Sequence, residues 1–187
     1  MIEKVIVDAD ICIKLSQSKK YEYLYEVLPL IAKEIYIHKY VDGEVLTPRE
    51  QLDKLISEGK VKVVNEDGLD AITRAIYDAT YKNLSNVMID PNQPNKNKGE
   101  VCSLAYAKAT SISIFATDKR NLQPIIDKQL NTGIDNIQCI RIEDIVIKAQ
   151  KREIALQRKY AKALWVIAGK DINVFDAKIW PIDTKNY

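Results

Sequence analysis

Two short apolar runs in this chain each stop on a carboxylate. Val5-Ile6-Val7 ends at Asp8, and the segment 113–117 ends at Asp118. Such β-branched runs read as strands, and a strand without polar alternation belongs in a sheet covered on both faces. Further strands are expected at 35–37, 61–64 and 137–140. Helical periodicity fills the intervals. Over 21–34 it gathers apolar side chains on one face, with Pro29 predicting a kink or a break. Helices are also predicted over 41–46, 69–81, 100–109 and 122–130, and one is expected to start at Thr47-Pro48 and close at Gly59. The polar stretch 90–99 is rich in turn formers and has no period, so it is a loop. From Glu143 the pattern predicts one long helix to about residue 168, followed by a tail containing Trp180 and Pro181.

Strands alternating with helices imply an α/β fold, a three-layer α/β/α domain with a mainly parallel central sheet. This domain is expected over 1–145, with the C-terminal helix and tail, 146–187, packing on it. In open parallel sheets, ligands bind beyond the carboxyl ends of the strands, where the strand order reverses. Asp8 and Asp118 are therefore expected on one rim.

The 187 residues suit a single domain, and a hydrophobic fraction of 47% with 29% charged residues is ordinary for a globular chain. A formal charge of +2 does not by itself announce a nucleic-acid binder. Cys12, Cys102 and Cys139 have neither zinc-site nor redox-motif spacing. Charge comes too early at the start for a signal peptide, and no apolar run approaches the ~20 residues that cross a bilayer. A cytoplasmic protein with reduced thiols and no membrane partner is expected.

Two more acids join the reading: Glu44 within a short helix and Glu100 at the start of another. Carboxylates brought together repel one another, which raises their pKa values. A hard divalent cation removes that cost, and oxygen ligands are what Mg²⁺ or Mn²⁺ prefers. Side-chain acid–base machinery is otherwise sparse. His38 is the only histidine, and no Ser-His-Asp arrangement can be built around it.

In this order the residues resemble the PIN-domain family of metal-dependent nucleases, which includes toxins of bacterial toxin–antitoxin pairs. Val5-Ile-Val-Asp8-Ala-Asp-Ile-Cys12 looks like the family's first strand and leading acid. Val41-Asp-Gly-Glu44-Val-Leu46 matches the helix supplying the second. Gly99-Glu100-Val-Cys-Ser-Leu-Ala105-Tyr-Ala107 resembles the Gly-Glu helix, and Phe115-Ala-Thr117-Asp118 the later Thr-Asp. The resemblance implies a Mg²⁺- or Mn²⁺-dependent ribonuclease leaving 5′-phosphate and 3′-hydroxyl ends, with Asp8, Glu44, Glu100 and Asp118 as catalytic metal ligands. Asp10 stands where a small neutral residue is usual and could enlarge the ligand set. Lys119 stands where a second acid is frequent; with Thr117 and Lys98 it is a candidate to face substrate. The candidate partners are RNA, an antitoxin protein and a second copy of the chain. The segment after Glu143 exceeds the compact toxin pattern. Two rival expectations stand beside the ribonuclease: a toxin whose nuclease activity is controlled by an antitoxin, and a non-catalytic RNA-binding or scaffold protein.

Plainer roles compete for each residue. Asp10 and Asp118 could cap helices, and Glu100 could complete a capping arrangement begun at Asn97. Glu44 alone reads as an exposed helix residue. His38 is expected to pack or lie at the surface, and Tyr21, Tyr23 and Tyr25 to pack rather than stack on bases. Lys148, Lys151, Arg152, Arg158, Lys159 and Lys162 read as a solvated face. The loop before Glu100 is a candidate substrate lid or an ordinary loop.

Overall fold

β1 (Ile2–Val7) is the middle strand of a five-stranded, all-parallel sheet in the computed structural model, which describes residues 2–18 and 21–181. Its companions are β2 (Ala32–His38), β3 (Val61–Val64), β4 (Ile114–Ala116) and β5 (Gln138–Ile140), in the order β3-β2-β1-β4-β5. The chain moves outward from β1 to β2 and β3, then returns to the other side of β1 for β4 and β5. The order therefore reverses between β1 and β4. In register, Val7 lies opposite Ala116, so Asp8 and Thr117 leave the sheet side by side.

Side-chain alternation divides the core in two. Val5, Val7, Ile35, Ile37 and Ala116 enter one cluster, whereas Ile6 and Phe115 enter the other. The first cluster is completed by α1 (Ala9–Ser16), α2 (Tyr23–Ile31), α4 (Glu50–Ser57), α8 (Ile142–Gln150) and α9 (Arg158–Ile167). The second is completed by α5 (Ala71–Met88), α6 (Lys98–Ala109) and α7 (Gln123–Gln129). Helices thus lie on both faces of the sheet, in three layers. The short α3 (Lys39–Glu44) follows β2 directly and contributes Val41 to the first cluster. Among the described residues no helix is long and apolar enough to cross a membrane.

Some boundaries differ from the sequence reading, each for a physical reason. α2 stops at Ile31, with Pro29 in its last turn, because pairing with β1 draws Ala32 and Glu34 into β2. The helix expected from Thr47-Pro48 starts at Glu50, after a cis peptide at Thr47–Pro48. α5 runs on to Met88, since Leu84 and Met88 extend the buried stripe begun by Tyr77. It is capped by Asp70, whose Oδ1 accepts from the N–H groups of Ile72 and Thr73 at 3.0 and 3.1 Å.

The long helix expected over 143–168 is two helices. Between α8 and α9 the chain buries Ile154 and Leu156 but exposes Ala155. That two-residue period suits extended chain, not helix. The break lets α9 fold back and pack against α8. Val146, Ala149, Leu164, Trp165 and Phe175 then join the same cluster as Val5 and Val7. Of the six basic residues expected to form a solvated face, three form ion pairs within the chain. Lys148 pairs with Glu153 at 2.8 Å, and Arg158 and Lys162 both reach Asp176. The last part of the expected tail, 182–187, lies outside the described residues.

Phe175 is fully buried in a helical turn, Phe175–Ile179, its ring 6.2 Å from Trp165 and 6.4 Å from Trp180. Phe175→Ala is expected to cost about 3–5 kcal/mol, the range for a large-to-small change in a packed site. Urea unfolding followed by circular dichroism measures it. A loss under about 1 kcal/mol would show that the C-terminal turn contributes little to the core.

Candidate functional site

Asp8 ends β1 and is the N-cap of α1, a role the sequence reading offered to Asp10 and Asp118 instead. Its Oδ1 accepts from the Ala9 N–H at 2.9 Å, and its Oδ2 accepts from the Thr117 hydroxyl at 3.0 Å. Asp10 sits in the first turn of α1 and receives the Asp118 N–H at 3.0 Å; its carboxylate oxygens lie 3.4 and 3.5 Å from the same Thr117 hydroxyl. One threonine thus stands between two carboxylates. It is fully buried, so its hydroxyl positions acids and is not displayed toward solvent.

Glu100 approaches from the first turn of α6, and its carboxylate pairs with the Lys119 ammonium. Lys119 also lies 3.3 Å from Asn97 Oδ1. Its charge partly offsets the rise in the pKa values of Asp8, Asp10 and Glu44. Asp118 turns to a second lysine, Lys14 of α1. Glu44, the last residue of α3, is exposed at the edge but lies against Gly99. A Cβ at Gly99 would fall 2.5 Å from Glu44 Oε2 and 3.1 Å from Val41 Cγ2. Glycine here leaves room for the Glu44 carboxylate to lie against α6; any larger residue would push that side chain aside.

Burial raises the carboxylate pKa values here, as charge leaves water. Asp8 is pushed up to about 7, by burial first and then by the neighbouring Asp10. Asp10 is raised by burial, against the effect of the Asp118 N–H bond. Glu44 is raised by partial desolvation.

The structure therefore brings Asp8, Asp10, Asp118 and Glu100 to one rim, with Glu44 beside Gly99 at its edge. These groups offer only oxygen donors, the set a hard divalent cation takes. Among the described residues, no three acidic, histidine or cysteine side chains stand at metal-holding geometry as they are. Glu100 and Asp118 each face a lysine. Those lysine side chains are 42% and 39% exposed, with flexible stems that can withdraw to solvent. That movement would expose the Glu100 and Asp118 carboxylates, donors of the kind a hard divalent cation takes.

Other expectations fall elsewhere. Lys98 opens α6, with its ammonium 4.9 Å above the Tyr40 ring. His38 is buried, and its Nδ1 accepts from the Tyr40 N–H at 3.2 Å, capping α3. Tyr21 and Tyr23 pack against each other and Tyr160, while Tyr25 bonds Glu58. Asn97 is the N-cap of α6 in a left-handed conformation, but its side chain donates to the Met88 carbonyl at 2.8 Å and not to the helix. Sequence reading missed Lys14 and saw in Asn97 only a helix cap. Lys14 carried a usable signal, since it stands one helical turn after Asp10 and so shares its face.

Because the folded protein holds a proton on Asp8 more tightly than the unfolded chain does, its burial weakens stability as pH rises from about 4 to about 7. Asp8→Asn removes that loss. In EDTA, its melting temperature is expected to exceed that of the wild type, with a gap that widens from pH 5 to pH 8. A constant or shrinking gap in scanning calorimetry would mean that Asp8 is ionised at little cost.

Family models, curated proteins and solved structures offer no match to this chain, so the reading of the rim rests on its own geometry and chemistry.

Proposed function

We propose that the chain is a Mg²⁺- or Mn²⁺-dependent ribonuclease of the PIN type. The observation that carries this reading is the meeting of Asp8, Asp10, Asp118 and Glu100, from three separate segments, at the point where the strand order reverses. RNA rather than DNA, and the PIN assignment itself, rest on the resemblance of the motifs.

In this reading Asp8 and Asp118 are the leading ligands; the Thr117 hydroxyl holds the Asp8 carboxylate, and the Asp118 N–H ties its backbone to Asp10. Glu100 and Glu44 complete the set from α6 and α3, and Asp10 stands close enough to join. When bound, a divalent cation would supply a water acidic enough to attack at neutral pH and positive charge opposite the phosphodiester. Lys119 and Lys14, now paired with Glu100 and Asp118, would stand beside the scissile phosphate, where a point positive charge is useful. Thr117 keeps Asp8 and Asp10 aligned and touches no substrate.

A second reading draws on those same lysines. With Lys119 on Glu100 and Lys14 on Asp118, the rim is partly neutralised without a metal, as in a nucleic-acid-binding protein that keeps the fold and has no hydrolytic activity.

Cleavage of labelled single-stranded RNA with Mn²⁺ separates the two. Asp8→Asn and Asp118→Asn are expected to lose about 100-fold or more, beyond the 10–100-fold typical of changes to outer partners. Both variants should remain folded by circular dichroism. Wild-type protein that binds RNA and never cleaves it, with any of these metals, would sink the nuclease reading.

Gly99→Ala tests Glu44 without touching it. The new methyl displaces the Glu44 carboxylate, so cleavage should fall several-fold while the melting temperature moves little, because alanine suits a helix better than glycine. Unchanged cleavage would remove Glu44 from the site.

A further inference from the structure

Beside the acidic rim, among α3, the turn Glu66–Gly68, α5 and α6, lies a cleft of about 860 Å³. Glu44 and Lys98 line it, and both belong to the helix ends that meet at Gly99, so the cleft adjoins the rim. One wall is aromatic. The rings of His38, Tyr77 and Tyr81 run nearly parallel, at 8° and 20°, with centroids 6.3 and 6.1 Å apart. Tyr40 adds a fourth ring. Tyr77 and His38 are buried, whereas Tyr40 and Tyr81 are half-buried; the Lys98 ammonium lies over the Tyr40 ring and would have to give way to a base stacked there.

The wall also contains a buried imidazole donor that faces a carboxylate. His38 Nδ1 is occupied by the Tyr40 N–H, so the neutral ring carries its proton on Nε2. That atom is buried and has no aligned hydrogen-bond acceptor, although Glu66 Oε2 stands 3.3 Å away.

Charge narrows the ligand. Four carboxylates in the lining face three cations. The one arginine, Arg74, is already committed to Asp78 at 2.9 Å and to the Glu66 carbonyl at 3.3 Å. A phosphate would meet excess negative charge inside. A flat ring with N–H groups on its edge would meet aromatic faces and carboxylate acceptors.

We propose that this cleft holds an unpaired nucleobase of a single-stranded RNA whose phosphodiester lies at the adjoining acidic rim. The proposal rests on the nuclease reading for the identity of the strand. The base stacks in the cleft on Tyr40 and Tyr81, and Lys98 stands at the boundary where the backbone crosses to the rim. The cleft, not the rim, supplies the protein's own grip on the strand.

The test compares fluorescein-labelled r(A)4 with the same four-nucleotide backbone lacking bases, by anisotropy in EDTA at low salt. Tyr81→Ala and Tyr40→Ala are each expected to weaken r(A)4 binding about 5- to 100-fold, the range for losing one stacked base. Neither should change binding of the abasic strand, and Tyr81→Trp should retain affinity. Wild-type affinity for r(A)4 in both alanine variants would overturn the proposal. So would equal losses for the abasic strand, or failure of the wild type to prefer r(A)4. Two mixed outcomes separate this idea from the nuclease reading. Asp8-dependent cleavage with r(A)4 binding indifferent to both tyrosines removes the cleft alone. Tyrosine-dependent binding without cleavage in Mn²⁺ removes the nuclease and leaves the cleft.

Discussion

The carboxylate of Asp8 is held at the end of an apolar strand with 2% of the residue exposed. An ion taken out of water there costs several kcal/mol unless partners surround it. The partners come from far apart: the Ala9 N–H from α1, the Thr117 hydroxyl from beyond β4, and the Lys119 charge from the turn that follows. Satisfying one side chain thus requires β4 to lie beside β1 in the observed register, with Val7 opposite Ala116. The sheet order and the acidic rim are consequences of the same arrangement. A one-residue slip would turn Thr117 to the opposite face and leave Asp8 without its hydroxyl partner.

α6 answers a similar demand on the other side of the rim. Glu100 is buried in its first turn, and Lys119 faces it. Gly99, one position earlier, lets Glu44 lie against the helix. α6 also carries Val101 and Leu104 into the second core cluster, so the helix end that presents an acid is fixed by packing on the sheet. Site precision here derives from core burial behind it, not from the loop that precedes it.

How much of this could be read from the chain depends on range. Asp8 and Asp118 were legible because each ends an apolar run, and parallel sheets gather strand ends at one edge. The strands near 5–7, 61–64 and 114–116 were legible for the same local reason. The break between α8 and α9 was less visible, because no glycine or proline marks it. Only the burial of Ile154 and Leu156 around exposed Ala155 reveals an extended step, and that needs the partner surface. The pairs Lys14–Asp118 and Lys119–Glu100 join residues that sequence spacing cannot relate. Pattern finds which residues share an edge. Which cation each acid faces is decided by the fold.

Those pairs leave a charge imbalance with a consequence for binding. Asp8, Asp10, Glu44, Glu100 and Asp118 outnumber Lys14 and Lys119 at the rim, and the adjoining cleft also carries more carboxylates than cations. With both lysines paired, a phosphodiester approaching the rim meets net repulsion. On the nuclease reading, phosphate attraction would come from a cation added to the acids, which would also free the lysines. Contacts indifferent to charge are left for the chain itself to provide, and the ring faces of Tyr40 and Tyr81 are of that kind. On the nuclease reading, grip and chemistry are thereby divided between neighbouring surfaces. The cleft selects an unpaired base, and the rim engages its phosphate only when the metal arrives.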